Sequence, residues 1–290
     1  METVLTYKDK QVVIGPEQPF VIIGERINPT RRKKLAESMA AGDFSIVQED
    51  ARKQVEAGAQ VLDVNAGIPG ADEPDLLRKA ALAVMQVVEV PLCFDTANPD
   101  ALAAALEVYP GKALINSTTA ETHMMERVFP LAKKHGAAVI GVITDENGIP
   151  ATPQDRLEVA RKLLSSAAEY GIPAEDIIID CLALTVGADH KAGQVTLDAM
   201  RLIRDELGVN LSLGASNVSF GLPDRKIINT AYLALAIARG MTAAITDPTV
   251  PEIRTTLLAC DLLMGHDEFA MRWIKAYRKR VKEAEASAGN

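Results

Sequence analysis

Polar side chains that can accept or donate protons recur at one kind of place in this chain, directly after short apolar runs. Glu25-Arg26-Ile27-Asn28, Asp63-Val64-Asn65, Asp95, Asn116, Asp180, Ser216-Asn217 and Asp247 each end such a run. A single Asp or Asn in that position reads as a cap for the following helix, whose first N–H groups lack partners. Seven repetitions ask for a shared cause. A ring of carboxylates can hold Mg²⁺, yet here carboxamides dilute the charge and no His joins them, unlike the usual metal barrel. Without a metal, a carboxylate beside a carboxamide matches the donor and acceptor edge of an aminopyrimidinone, as Asp and Asn match base edges in nucleic acids. An Asp accepting from a ring N–H and an exocyclic amine forms charge-assisted bonds, shorter and stronger than neutral ones. The pattern points to a flat heterocyclic ligand.

Such a ring of residues needs elements that end on one side of the molecule. Eight β-rich apolar runs recur every 20 to 45 residues, at 20–25, 59–64, 90–95, 113–116, 137–143, 176–180, 210–213 and 243–247. Each is followed by a longer stretch with helical periodicity, the signature of βα units in a parallel sheet. Most lack polar alternation, as expected of strands buried on both faces. Eight parallel strands predict an α/β fold that closes as a (β/α)8 TIM barrel, with its active site at the C-terminal strand ends. Asn98-Pro99 and Thr152-Pro153 read as an N-cap followed by proline at the first helical position. Gly58, Gly136, Gly171, Gly208 and Gly240 fall between a helical stretch and the next strand, where a C-cap takes positive φ. Pro130 is expected to kink the helix it interrupts.

The remaining segments frame the barrel. Two apolar runs, at 3–7 and 11–14 around Lys8-Asp9-Lys10, predict a β-hairpin within residues 1–19 that plugs the bottom. Residues 251–264 supply the last barrel helix. Residues 266–290 form a tail with an amphipathic helix over 267–285 and a charged, disordered end; Trp273 and Tyr277 place that helix against the barrel or in a homodimer. One domain is predicted over 1–290.

Composition narrows the function classes. With 48% hydrophobic and 24% charged residues the chain is globular. No apolar run reaches the ~18 residues of a membrane span, and the polar start predicts a cytoplasmic protein. A net charge of −8 repels phosphate backbones, which disfavours nucleic acid. Cys93, Cys181 and Cys260 stand far apart, without the spacing of a zinc site or a disulfide framework. Of four histidines, His123, His135 and His266 read as surface or capping residues, and His190 alone falls in a loop on the active face. The basic run 31–34 reads as a solvated helix start, with contact to an acidic ligand tail as the alternative.

Five motifs carry a resemblance. Ile23-Gly24-Glu25-Arg26-Ile27-Asn28, Leu62-Asp63-Val64-Asn65, Cys93-Phe94-Asp95-Thr96, Ile115-Asn116-Ser117-Thr118 and Gly214-Ala215-Ser216-Asn217-Val218-Ser219 resemble the pterin-binding methyltetrahydrofolate:corrinoid methyltransferases. The similarity runs from about residue 21 to about residue 261, in register through all eight strands. It implies that Asp95, Asn116 and Asp180 hold the pyrimidine edge of the pterin. Asp63 and Asn65 sit beside them, and Glu25, Gly214, Ser216, Arg225 and Asp247 line the same mouth. Asn217 matches the asparagine near N5, which carries or receives the methyl group, and Asp63 is the second catalytic candidate. Tetrahydrofolate or methyltetrahydrofolate is then the substrate, and the corrinoid, as cobalamin or on a corrinoid protein, comes from outside. Residues 185–194 and 219–225 are its candidate contacts.

The chemistry gives Asn217 a reason. An amide anion is a very poor leaving group, so N5 must be protonated or strongly hydrogen-bonded when its methyl departs. A carboxamide can donate to N5, or turn its oxygen to an N5–H. Asn217 also suits a plain turn. The dihydropteroate synthases, which share the barrel more distantly, carry a basic residue after strand seven where this chain has Asn217. They remain an alternative through Arg225 and Lys226, as does a pterin-binding module without catalysis.

Overall fold

The computed structural model describes residues 1–288. Two antiparallel strands, β1 (Thr3–Tyr7) and β2 (Lys10–Ile14), precede eight parallel ones. These are β3 (Val21–Ile27), β4 (Val61–Val64), β5 (Leu92–Asp95), β6 (Leu114–Thr119), β7 (Ala138–Val142), β8 (Ile177–Asp180), β9 (Asn210–Ser212) and β10 (Ala243–Thr246). Neighbours in sequence are neighbours in the sheet, and β10 returns to pair with β3. Hydrogen bonds from Thr242 N to Leu211 O (3.1 Å) and Ile245 N to Leu213 O (3.0 Å) join β9 to β10 and close the cylinder. The protein is a (β/α)8 TIM barrel. Each predicted strand is present within a few residues. β3 and β6 run further than expected, because a register shift after Gly24 and another after Asn116 let polar residues continue the pairing.

The helices between strands are α1 (Lys33–Ala40) and α2 (Ser45–Glu56), then α3 (Glu73–Met85), α4 (Pro99–Val108), α5 (Thr122–His135), α6 (Pro153–Glu169), α7 (Ala192–Leu207), α8 (Arg225–Ala238) and α9 (Pro251–Leu263). Asn98 accepts from the N–H groups of Asp100 and Ala101, and Thr152 accepts from Asp155, as capping residues should. The five predicted C-terminal glycines all have positive φ, from 63° at Gly136 to 107° at Gly58. Pro130 lies inside α5, which remains one element.

The period of a strand explains how the core and the site share the same residues. On β4, Val61 and Asp63 face the barrel axis while Leu62 and Val64 pack on the helices; on β5, Cys93 and Asp95 face inward. The same two-residue step takes Leu114 to Asn116, Ile178 to Asp180 and Ile245 to Asp247. An apolar floor layer is thus followed, one step up, by a polar layer at the mouth. Below the floor sits the predicted plug: Leu5 and Ile14 of the hairpin are fully buried against Val21, Ile23, Val61 and Ile178. Asn210 ties it down, donating its Nδ2 to Thr3 Oγ1 and Ile14 O, both at 2.9 Å.

The tail differs from the expectation in detail. Its helix α10 starts at Met271 and runs to Ala288, because Asp267 gathers the free N–H groups of Arg272 and Trp273. Before it, Phe269 and Ala270 take positive φ and break continuity with α9. The predicted disordered end is helical as far as it is described, and its residues 289–290 lie outside the described residues. α10 reaches α9 through Arg280, which donates to Thr255 Oγ1 at 2.9 Å, and leaves Tyr277 exposed. Among the described residues no helix is long and apolar enough to cross a membrane.

Candidate active site

At the C-terminal mouth lies an open cavity of about 710 Å³. Of the residues singled out in the sequence, Glu25, Asp63, Asp95, Asn116, Asp180, Gly214, Ser216, Asn217, Arg225 and Asp247 all line it. Asn65 does not; it stands behind the wall, donating its Nδ2 to Asp95 Oδ2 at 3.0 Å and accepting from Gly67 N at 2.9 Å.

Asp63 is the deepest group, 2% exposed. Asn116 donates its Nδ2 to Asp63 Oδ1 at 3.2 Å. Burial, then the negative charge of Asp95, holds Asp63 well above the usual carboxylate range, while Asn116 and the Cys93 thiol oppose that rise as donors. Asp95 is raised as well, chiefly by burial, although Asn65 supports its charge. Two adjoining carboxyls in an apolar barrel cannot both ionise freely, so this pair holds a proton readily. Cys93, packed among the inward apolar residues, has its thiol pushed up by the same burial.

Asp180 closes the opposite side. Its Oδ1 accepts from Leu182 N at 2.7 Å, and Leu182 itself takes a left-handed backbone (φ 54°). Burial lifts its pKa to about 6 against the support of the Leu182 and Gly214 amides. The fully buried Arg156 braces this turn, donating to Cys181 O at 2.9 Å and Leu182 O at 3.3 Å.

After β9 a short 3-10 turn, Ala215–Ser219, lifts Asn217 to the rim. Its backbone N–H bonds Gly214 O at 3.2 Å, but its exposed carboxamide has no protein partner among the described residues. Arg225, first in α8, donates to Ser216 O (2.7 Å) and Ser219 Oγ (3.0 Å), which stiffens the turn. Glu25 stands across the mouth, its pKa raised to about 7 by burial and by Asp247, against the pull of Arg26 and Arg225. Arg26 itself pairs with Asp247 at 3.5 Å.

Several lining residues were not foreseen as site residues. Leu182, Ala183 and Ile245 supply an apolar wall, and Asn28 reaches Asp95 Oδ2 at 3.5 Å. Their signal was in the pattern, since Asn28 ends the first strand motif and Ile245 is two residues before Asp247. The basic run is not simply solvated: Arg32 pairs with Asp50 at 2.6 Å, and both Arg31 and Arg32 line the cavity. His190 is exposed on its loop and does not line it. That loop and the one after β9 join, through Val186 N to Val218 O (3.0 Å) and Thr185 Oγ1 to Phe220 O (2.7 Å). Among the described residues no three His, Cys, Asp or Glu side chains converge as a metal site would require. A floor of carboxyl acceptors and carboxamides under an apolar wall can grip the polar edge of a flat, N–H-rich ring.

The family model of the pterin binding enzymes matches residues 24–247. The chain belongs to the pterin-binding enzyme family. The match begins beside Glu25, within β3, and ends on Asp247, so it spans all the polar strand ends of the site and leaves out the hairpin, α9 and α10. The methylcorrinoid:tetrahydrofolate methyltransferase of Eubacterium limosum is 28% identical over 268 residues, covering 90% of this chain and 97% of that protein. Methionine synthase of Mycobacterium leprae is 31% identical over 243 residues, covering 79% of this chain but only 20% of that much longer protein. Among solved structures, a dihydropteroate synthase of Yersinia pestis superposes with a TM-score of 0.68 at 16% identity, over 91% of this chain and 99% of that one. At that identity the likeness is one of fold, and it places this pterin-binding enzyme on the same barrel.

Proposed function

We propose that this pterin-binding enzyme moves a methyl group between N5 of tetrahydrofolate and a corrinoid, free or on a partner protein. The observation that carries the reading is the unpartnered carboxamide of Asn217, held at the rim above a floor of Asp63, Asp95, Asn116 and Asp180. The similarity to a methylcorrinoid:tetrahydrofolate methyltransferase over nearly its whole length supports it.

In this reading Asp95, Asn116 and Asp180 grip the pyrimidine edge of the pterin, and Leu182, Ala183 and Ile245 cover its faces. The corrinoid supplies the methyl carrier. Asn217 acts at N5. When the methyl leaves folate, the carboxamide supports N5 by an N–H to the lone pair it already carries, or by its oxygen on an N5–H once a proton has arrived; when N5 receives the methyl, that oxygen holds the N5–H and leaves the lone pair free to attack. The Asp63 and Asp95 pair holds a proton near the ring. The joined loops at 185–194 and 219–225 form the face on which a corrinoid protein docks. Pyrophosphate chemistry of the dihydropteroate synthase kind is less well supported, because Lys226 is engaged with Glu252 at 3.4 Å and Arg225 is committed to the turn.

The test mixes the purified chain with methylcob(III)alamin and tetrahydrofolate and follows the corrinoid absorbance. Demethylation of the corrinoid that depends on folate is the expected result. An unchanged spectrum alongside measurable folate binding would leave a pterin-binding module without this catalysis.

A further inference from the structure

The mouth holds more than a pterin needs. Above the polar floor, Phe220 stands half exposed on the loop after β9, with Arg31 and Arg225 both near its ring. The guanidinium carbons lie 5.3 Å and 5.9 Å from the ring centre. All three residues line the same cavity as Asp95 and Asp180.

The other arginines of the mouth are engaged: Arg26 has Asp247, Arg32 has Asp50, and Arg225 is held by Ser216 O and Ser219 Oγ. Arg31 makes no ion pair or hydrogen bond among the described residues, in a chain of net charge −8. A guanidinium laid near an aromatic ring keeps its N–H edge free for a carboxylate, which it can bind in a two-point fork. Its position is built. Asn28 Oδ1 accepts from Thr30 N at 2.9 Å, Arg32 N bonds Pro29 O at 3.0 Å, and Arg31 takes a left-handed φ of 60° between them. Because Asn28 also reaches Asp95, this rim is tied to the floor. Phe220 is fixed from the other side by Asn217 and Thr185.

We propose that Arg31 and Phe220, closed off by Arg225, form a subsite for the aryl-carboxylate tail of the folate, and that it favours tails carrying more than one glutamate. The proposal rests on the pterin reading of the floor and adds the part of the substrate that lies outside it. Phe220 offers the exposed part of its ring to the aminobenzoyl group, and Arg31 takes a carboxylate of the glutamate chain. A single-glutamate tail offers two carboxylates, and each further glutamate adds one more within reach of an unpaired cation.

Calorimetric titration of the whole chain with three reduced ligands tests it: 6-methyltetrahydropterin without a tail, tetrahydrofolate with one glutamate, and tetrahydrofolate with three. The expected result is an affinity about 3- to 10-fold higher for the triglutamate than the monoglutamate, shrinking as salt rises. In Arg31→Ala that increment disappears, and Arg31→Lys restores part of it. Equal affinity of wild type for one and three glutamates, or an increment that survives Arg31→Ala, overturns the subsite while the pterin floor stands. If the tailless pterin also fails to bind the folded chain, the pterin reading falls, and this one with it.

Discussion

A methyl group built on Gly214 would stand 3.1 Å from Nδ2 of Asn217. Gly214 has a φ of −72°, which any residue adopts, so this glycine is needed for the space beside the carboxamide and not for its backbone. Gly214→Ala is therefore expected to displace the Asn217 amide by a few tenths of an ångström without unfolding the chain. Misplacement on that scale should slow methyl transfer about tenfold or more, with an unchanged melting curve. Transfer at the wild-type rate would mean that Asn217 adjusts freely.

Removing the carboxamide altogether separates binding from catalysis. If Asn217 acts on N5 as charge develops, Asn217→Ala should cost more in kcat than in folate affinity. Loss of one placed donor typically costs about 10² to 10³ in rate. Single-turnover transfer at saturating folate, set beside a direct folate titration, makes the comparison. A raised KM with kcat intact would reduce Asn217 to a positioning residue.

The floor makes a different prediction. Asp95→Ala, Asn116→Ala and Asp180→Ala each leave a polar edge of the ligand unpaired in a buried place, which should weaken folate binding by about 1–3 kcal/mol. Calorimetry on the three variants gives the answer, and unaltered affinity in all of them would move the pterin elsewhere.

Glu25 should show itself in the pH dependence of stability. Its pKa in the fold, about 7, lies above the ordinary 4.5 because burial and Asp247 disfavour the charged form. Its contribution to stability is thus fully present below about pH 4.5, is lost as the pH rises through 7, and stays lost above that. At about 1.4 kcal/mol per pKa unit the loss amounts to roughly 3–4 kcal/mol. Glu25→Gln cannot ionise, so its stability relative to wild type should rise by that order between pH 4.5 and pH 8 in urea unfolding. A difference that does not change with pH would contradict the raised pKa.

The strands and the ring of polar residues were legible because β4, β5, β6, β8 and β10 each carry the same step, an inward apolar residue and then an inward Asp or Asn. Which of these meet was not legible. The contact of Asn116 with Asp63 depends on the register that sets Asp95 against Asn116 and Asp63 against Cys93. Nothing local in the sequence states that register. Arg156 was hidden for another reason, since a cation in an amphipathic helix reads as surface until the carbonyls of Cys181 and Leu182 are seen above it. Phe220 was read only as part of a loop, because one aromatic among small residues has no period to report its direction.

The hairpin under the barrel bears on the order of events above it. With Val61, Cys93, Leu114 and Ile178 filling the cylinder and Leu5 and Ile14 packed beneath them, every reactant passes the same doorway. The polar floor is the inner berth, and the joined loops at the rim are the outer one. For the proposed transfer this dictates a compulsory sequence: folate boards first and is the last to leave, because a docked corrinoid shuts the exit. Excess corrinoid should then trap folate and slow turnover, an inhibition whose origin is a barrel filled from below.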